Sequence, residues 1–355
     1  MAKNIVIFSD GTAQEGGKGA NTNIYKMFNM IEDRTPNQVS FYDAGVGTGW
    51  RRLTGNIGGA GISRNIRQAY AFLHENFEAD DSIYLFGFSR GAATVRSLSA
   101  MIHHFGVLPK SRPELIRKAY RIYRMRDPED VERQAAGLVN RNHTMWTRIR
   151  FIGVYDTVAA LGLSLHLPSR LVDRIPGLQH RFHDFSLSES VDHARQALSI
   201  DEERRTFHPV LWDPLDPDSN QTLRQVWFAG VHTDVGGGYP EAGLGDIALT
   251  WLMKEAVAKG LRIYPHHEYE PAPNPHGLMH NSRGKPWLKL YRRQVRSWPA
   301  TRPDKPILHG SVIERIAQPD PPGDKPYQRW ILGLDHEVEP SDRAEHGDLI
   351  PVSKP

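Results

Sequence analysis

Ser89 lies in Gly87-Phe88-Ser89-Arg90-Gly91, a G-x-S-x-G pattern. An apolar run from Ile83 to Phe86 leads into it, and a helical pattern of Ala92, Val95, Leu98 and Met101 leads out. So tight a strand-to-helix turn needs glycine on both sides, because a Cβ at 87 or 91 would collide there. The hydroxyl would stand at the start of a helix, where the dipole and the N–H of Arg90 favour negative charge on a carbonyl oxygen. That is a setting for nucleophilic acyl transfer. A serine hydroxyl is a poor nucleophile near neutral pH, so it needs an imidazole to take its proton and a carboxylate to orient the imidazole. Among 17 histidines, His232 is the candidate base: it follows the apolar strand Gln225 to Val231 and precedes the glycines 236 to 238. His309 is the runner-up, while His103, His104, His266 and His267 read as surface or loop residues. Two carboxylates compete for the acid. Asp156 and Asp201 each end a strand between the serine and histidine strands; counting strands from the nucleophile favours Asp201, and spacing alone leaves both open. A second oxyanion donor should come from the loop after the first strand, through the N–H of Gly11 or Thr12.

The elements that must position these residues are apolar runs ending in polar loops: 4 to 8 before Asp10, 39 to 42 before Asp43, 83 to 86 before Ser89, 148 to 155 before Asp156, 194 to 200 before Asp201 and 225 to 231 before His232. Parallel strands bring their C-terminal ends to one edge, so these residues can converge. Helices are expected over 23 to 31, 62 to 77, 112 to 125 and 249 to 258. The fold class is therefore α/β, a mainly parallel sheet with helices on both faces. Residues 1–260 form the catalytic core, with inserts at 110–147 and 162–190. Residues 261–355 form a loop-rich extension packed on that core. The apolar stretch 162 to 187 suits a lid or acyl-binding wall, although a helical excursion explains it as well. The glycine-rich segment 45 to 61 lacks the Gly-Lys-Ser/Thr of a phosphate loop and reads as a mobile loop rather than a nucleotide cradle.

Composition narrows the function classes. Without cysteine there is neither a disulfide framework nor thiolate chemistry. A net charge of +3 is too mild to suggest nucleic-acid binding, while a pI near 9.0 is compatible with transient contact at an acidic membrane surface. The N-terminus shows no signal-peptide pattern and no run approaches a membrane span, so a cytoplasmic chain is expected, with export by a leaderless route left open. Asp10, Asp43, Asp156 and Asp234 could gather round a hard cation, but no EF-hand or H-E-x-x-H arrangement accompanies them, so neither metal nor cofactor is expected.

Six successive blocks carry a resemblance: Phe8-Ser-Asp-Gly-Thr12, Tyr42-Asp-Ala-Gly-Val-Gly-Thr48, Gly87-Phe-Ser-Arg-Gly-Ala92, Gly153-Val-Tyr-Asp-Thr-Val158, Ala197-Leu-Ser-Ile-Asp-Glu202 and Gly230-Val-His-Thr-Asp-Val-Gly-Gly-Gly-Tyr239. His309-Gly-Ser-Val-Ile-Glu-Arg315 forms a seventh, weaker one. Together they resemble the α/β-hydrolase domain family that includes type VI secretion lipase effectors. The resemblance implies a Ser-Asp-His hydrolase of ester bonds, with phospholipids as the effectors' substrate class. It also implies Ser89 as nucleophile, Asp156 as acid and His232 as base, with Asp201 kept as the alternative acid. The rival expectation is a non-catalytic scaffold of the same fold that serves as a binding partner.

Overall fold

Six of the apolar runs become the strands β1 (Asn4–Ser9), β2 (Gln38–Asp43), β3 (Ser82–Phe88), β4 (Ile149–Tyr155), β5 (Val191–Ser199) and β6 (Thr222–Phe228). The computed structural model describes residues 2–11, 16–17, 19–33, 35–45, 57–158, 186–265, 269–284, 286, 288, 291–317 and 327–341. The strands form one sheet in the order β2-β1-β3-β4-β5-β6-β7-β8, parallel at every pairing. β7 (Ile307–His309) and β8 (Glu337–Glu339) lengthen one edge.

Strands buried on both faces need apolar residues at successive positions. β1 and β3 meet this by sending Ile5, Ile7, Ile83 and Leu85 to one face, and Val6, Phe8, Tyr84 and Phe86 to the other. The first face packs on α2 (Ile57–Asn76), α3 (Arg90–Phe105), α4 (Glu114–Tyr123) and α5 (Pro128–Asn142). The second packs on α1 (Asn23–Met30) and on the long helix Gly243–Val257, α7 below. This is an α/β-hydrolase-like arrangement, with the elbow at Ser89 joining the interior strand β3 to α3. The amphipathic segment beginning at 112 is a packed helix, its Leu115, Ile116, Ala119 and Tyr120 buried. Residues 159–185, which hold nearly all of the expected lid, and residues 46–56, most of the segment expected as a loop, lie outside the described residues.

The extension was expected as loops, and its described part does more. It supplies β7, β8 and α8 (Gly310–Ala317), and it builds a third core in which Leu198, Ile200 and Trp227 meet Leu308, Val312, Tyr327 and Ile331. Trp227 is fully buried, with Trp330 edge-on at 5.4 Å and Trp298 at 6.4 Å. Strands of three residues are too short to leave a period in the sequence.

Candidate active site

The elbow forms because two glycines let backbones touch. A Cβ at Gly91 would lie 2.0 Å from the Ser9 carbonyl oxygen, and one at Gly87 would lie 2.6 Å from Ala92 Cα. Ser89 itself has φ 58° and ψ −117°, a strained region for an L-residue. Its N–H donates to Tyr155 O at 3.0 Å, which locks the elbow to the end of β4. Asp156 comes next in the chain, with φ 41°, its N–H held by Ala197 O at 2.7 Å.

His232 opens the short helix α6 (His232–Gly236) just beyond β6. Its ring lies 4.7 Å from that of Phe88, the neighbour of Ser89, and Phe207 meets it edge-on at 5.0 Å. His232 Nδ1 is 2.5 Å from Asp156 Oδ2. A carboxylate at Nδ1 selects the tautomer protonated there and leaves the Nε2 lone pair to take a proton. Burial pushes His232 below the ordinary imidazole range, and the Asp156 carboxylate only partly opposes this. The ring is therefore biased toward its neutral form.

Asp156 is completely buried and fully supplied with donors. Besides His232 it accepts the Ser199 N–H at 3.0 Å, the Ser199 hydroxyl at 3.3 Å, and a bidentate pair from Arg296 at 2.6 and 2.8 Å. Burial alone would raise its pKa, but the Arg296 charge and these bonds win and hold the carboxyl well below the usual carboxylate range.

Comparisons with known proteins place the chain in a family. A family model described as "T6SS, Phospholipase effector Tle1-like, catalytic domain" covers residues 3–255. The chain belongs to this Tle1-like family. An uncharacterised protein of Saccharomyces cerevisiae, YEL023C, is 31% identical over 240 residues, 60% of this chain. The match spans 33% of that relative, so the chain corresponds to about a third of its length. A crystal structure of an uncharacterised protein from Pseudomonas aeruginosa is 16% identical, covering 74% of this chain and 46% of that one, with a TM-score of 0.43. The structure of the Tle1 effector bound to the VgrG spike of a type 6 secretion system is 19% identical, covering 68% and 52%, with a TM-score of 0.35.

In this Tle1-like chain the other candidates are engaged elsewhere. Asp201, which strand counting favoured as acid, accepts the Gly230 N–H at 2.7 Å and the Tyr327 hydroxyl at 2.8 Å, and pairs with Arg329. Those contacts tie the extension to the sheet edge. His309 stacks on Phe228 at 4.7 Å and bonds the Ser311 hydroxyl at 2.9 Å. Asp234 accepts from Val231 N–H at 2.9 Å and bonds His280 Nδ1 at 2.7 Å.

Of the oxyanion candidates, Arg90 begins α3, where the first N–H groups have no intrahelical acceptor. Gly11 lies beside the serine, a Cβ built on it falling 3.7 Å from Ser89 Cβ, and its N–H points at Asp10 Oδ1 at 2.6 Å. Thr12 is outside the described residues. Asp10 also accepts the hydroxyls of Thr22 at 2.6 Å and Tyr42 at 2.8 Å, and burial pushes its pKa up to about 6 against those bonds. Among the described residues, no group of three or more His, Asp and Glu side chains is placed to hold a metal ion, and no helix is long and apolar enough to cross a membrane.

Sequence reasoning missed Arg296 and Glu202. Glu202 is buried, pairs with Arg204 at 2.8 and 2.9 Å, and accepts the Ser282 hydroxyl at 2.9 Å and the His232 N–H at 3.4 Å. Its place one residue after Asp201, at the end of a strand, was the available signal.

Proposed function

We propose that the chain is a serine hydrolase that cleaves carboxylic esters of lipids, phospholipids foremost, through an acyl-enzyme on Ser89. The observation that carries this reading is the 2.5 Å approach of His232 Nδ1 to Asp156, beside the elbow that bears Ser89. Family membership supports the substrate class.

In the proposed sequence, Ser89 Oγ attacks the ester carbonyl while His232 Nε2 takes its proton. The negative charge on the carbonyl oxygen is met by the Arg90 N–H, with a second donor from Thr12 or from Gly11, whose N–H must first turn from Asp10 Oδ1. The imidazolium gives its proton to the departing alcohol. Water then attacks the acyl group, losing a proton to His232, and Ser89 leaves with that proton restored. Asp156 stays ionised throughout and stabilises the imidazolium at each stage.

The test is hydrolysis of p-nitrophenyl esters from about two to sixteen carbons, beside phosphatidylcholine vesicles, by wild type and Ser89→Ala. Serine-dependent turnover that rises with chain length and extends to the phospholipid is expected. Activity confined to the shortest esters would remove the lipid assignment. Complete inactivity, together with no labelling by a fluorophosphonate probe, would favour the binding scaffold.

A further inference from the structure

Arg296 reaches Asp156 from 140 residues away, from beyond the residues 3–255 that define the family match. It is 1% exposed. Nη1 donates to Asp156 Oδ1 at 2.6 Å and to Ser199 O at 2.7 Å, while Nη2 donates to Asp156 Oδ2 at 2.8 Å and to Phe207 O at 2.6 Å. The segment bearing it is laced to the chain after β5: Arg205 N–H donates to Arg292 O at 2.9 Å, and Gln294 N–H to Glu203 O at 2.8 Å. Arg293 and Glu203 form a two-bond ion pair across the same junction, at 2.6 and 2.8 Å.

Stability alone does not account for such a pair. Desolvating a guanidinium and a carboxylate costs about as much as their attraction returns, so an apolar pair would pack the site as well. Nor does an orienting acid require a second cation; it needs only to accept the Nδ1 proton and face the imidazolium. We infer that Arg296 is a positioning residue for the reaction: it clamps both oxygens of Asp156 and cancels part of the negative charge that Asp156 presents to His232. This rests on the proposed roles of Ser89, His232 and Asp156.

Two consequences follow for the base. The carboxylate cannot rotate away from Nδ1, because both oxygens are held. The imidazolium is stabilised less than by a lone carboxylate, so His232 stays unprotonated in mildly acidic water and returns its proton readily to the leaving group. The other charges facing the ring come from the segment after β5: Glu202, which favours the imidazolium, and Arg204, paired with Glu202, which opposes it. His208 is lowered first by burial and then by the Arg296 charge, with the Asp156 charge opposing.

The experiment is titration of the His232 ring by NMR in protein labelled at histidine, assigned with His232→Gln, for wild type, Arg296→Lys and Arg296→Met. Removing the cation leaves the full Asp156 charge on the ring, so the ring pKa rises by about one pH unit or more in Arg296→Met. The shift should be smaller in Arg296→Lys, which keeps the charge and loses the fork; Arg296→Lys carries the test if Arg296→Met fails to fold. The acid limb of kcat/KM moves up in step, kcat falls about a hundredfold with KM little changed, and added guanidinium ion moves the limb back. An unmoved ring titration in a folded variant overturns the inference. So does lost turnover with an unmoved limb and no guanidinium rescue, which would make Arg296 purely structural. Turnover that survives Ser89→Ala would instead overturn the proposed function, while the ring titration still judges Arg296.

Discussion

Asp156 and Asp201 show how two like residues at like positions are separated by their partners. Asp156 faces His232 and Arg296, whereas Asp201 faces Tyr327, Arg329 and the Gly230 amide. Asp156→Asn should therefore lose kcat by about 10⁴-fold, since the amide favours the wrong imidazole tautomer. It should also destabilise the fold by about 3–5 kcal/mol, because Arg296 is left buried without its counter-charge. Asp201→Asn should keep turnover within a few-fold; steady-state kinetics on both variants check the contrast. Asp10 gives a prediction on stability. Its folded pKa is raised to about 6 from a reference of 3.8, so the folded state binds the proton more tightly than the unfolded state. That contribution is complete below about pH 4 and is lost as pH rises through 6. Asp10→Asn lacks this loss. Between pH 4 and pH 8, the stability difference between wild type and variant should move in the variant's favour by about 3 kcal/mol, read from urea unfolding at each pH.

Among the elements, the ring contact between Phe88 and His232 depends on α6 being pared down. A Cβ on Gly236 would lie 2.1 Å from Phe88 Cε2. Gly236→Ala should displace Phe88 or α6, lowering kcat about tenfold or more while the far-ultraviolet circular dichroism stays unchanged. The central strands were legible in the sequence because burial on both faces demands uninterrupted apolar runs, as in Ile5 to Phe8. α5 was not, because only Val131, Ala135 and Leu138 of its residues are buried and little periodicity results. Its start was nonetheless written: Asp127 caps it through the Glu129 N–H, with Pro128 in the first turn. The elbow announced Ser89 through its glycines. The acid stayed ambiguous because a strand end says where a carboxylate lies and not what it faces. Arg296 was invisible for a similar reason: it follows Arg292 and Arg293 in a loop without period, and only the paired backbones of 203–205 and 292–294 distinguish it.

At the scale of the whole molecule, the extension completes the sheet as well as covering it. Removing residues 261–355 would strip β7 from β6 and uncover Trp227, Leu198 and Ile200. A chain ending at residue 260 should melt well below the full chain or fail to fold, as thermal unfolding followed by circular dichroism would show. The charge that confines Asp156 also enters the chain after Ser89, Asp156 and His232. At roughly 5–20 residues per second of synthesis, the 140 residues between Asp156 and Arg296 delay the guanidinium by roughly seven to thirty seconds. Until then Asp156 lacks the counter-ion that the folded protein gives it. A nascent chain stalled before Arg296 would carry Ser89, Asp156 and His232 with the Asp156 carboxylate still unclamped.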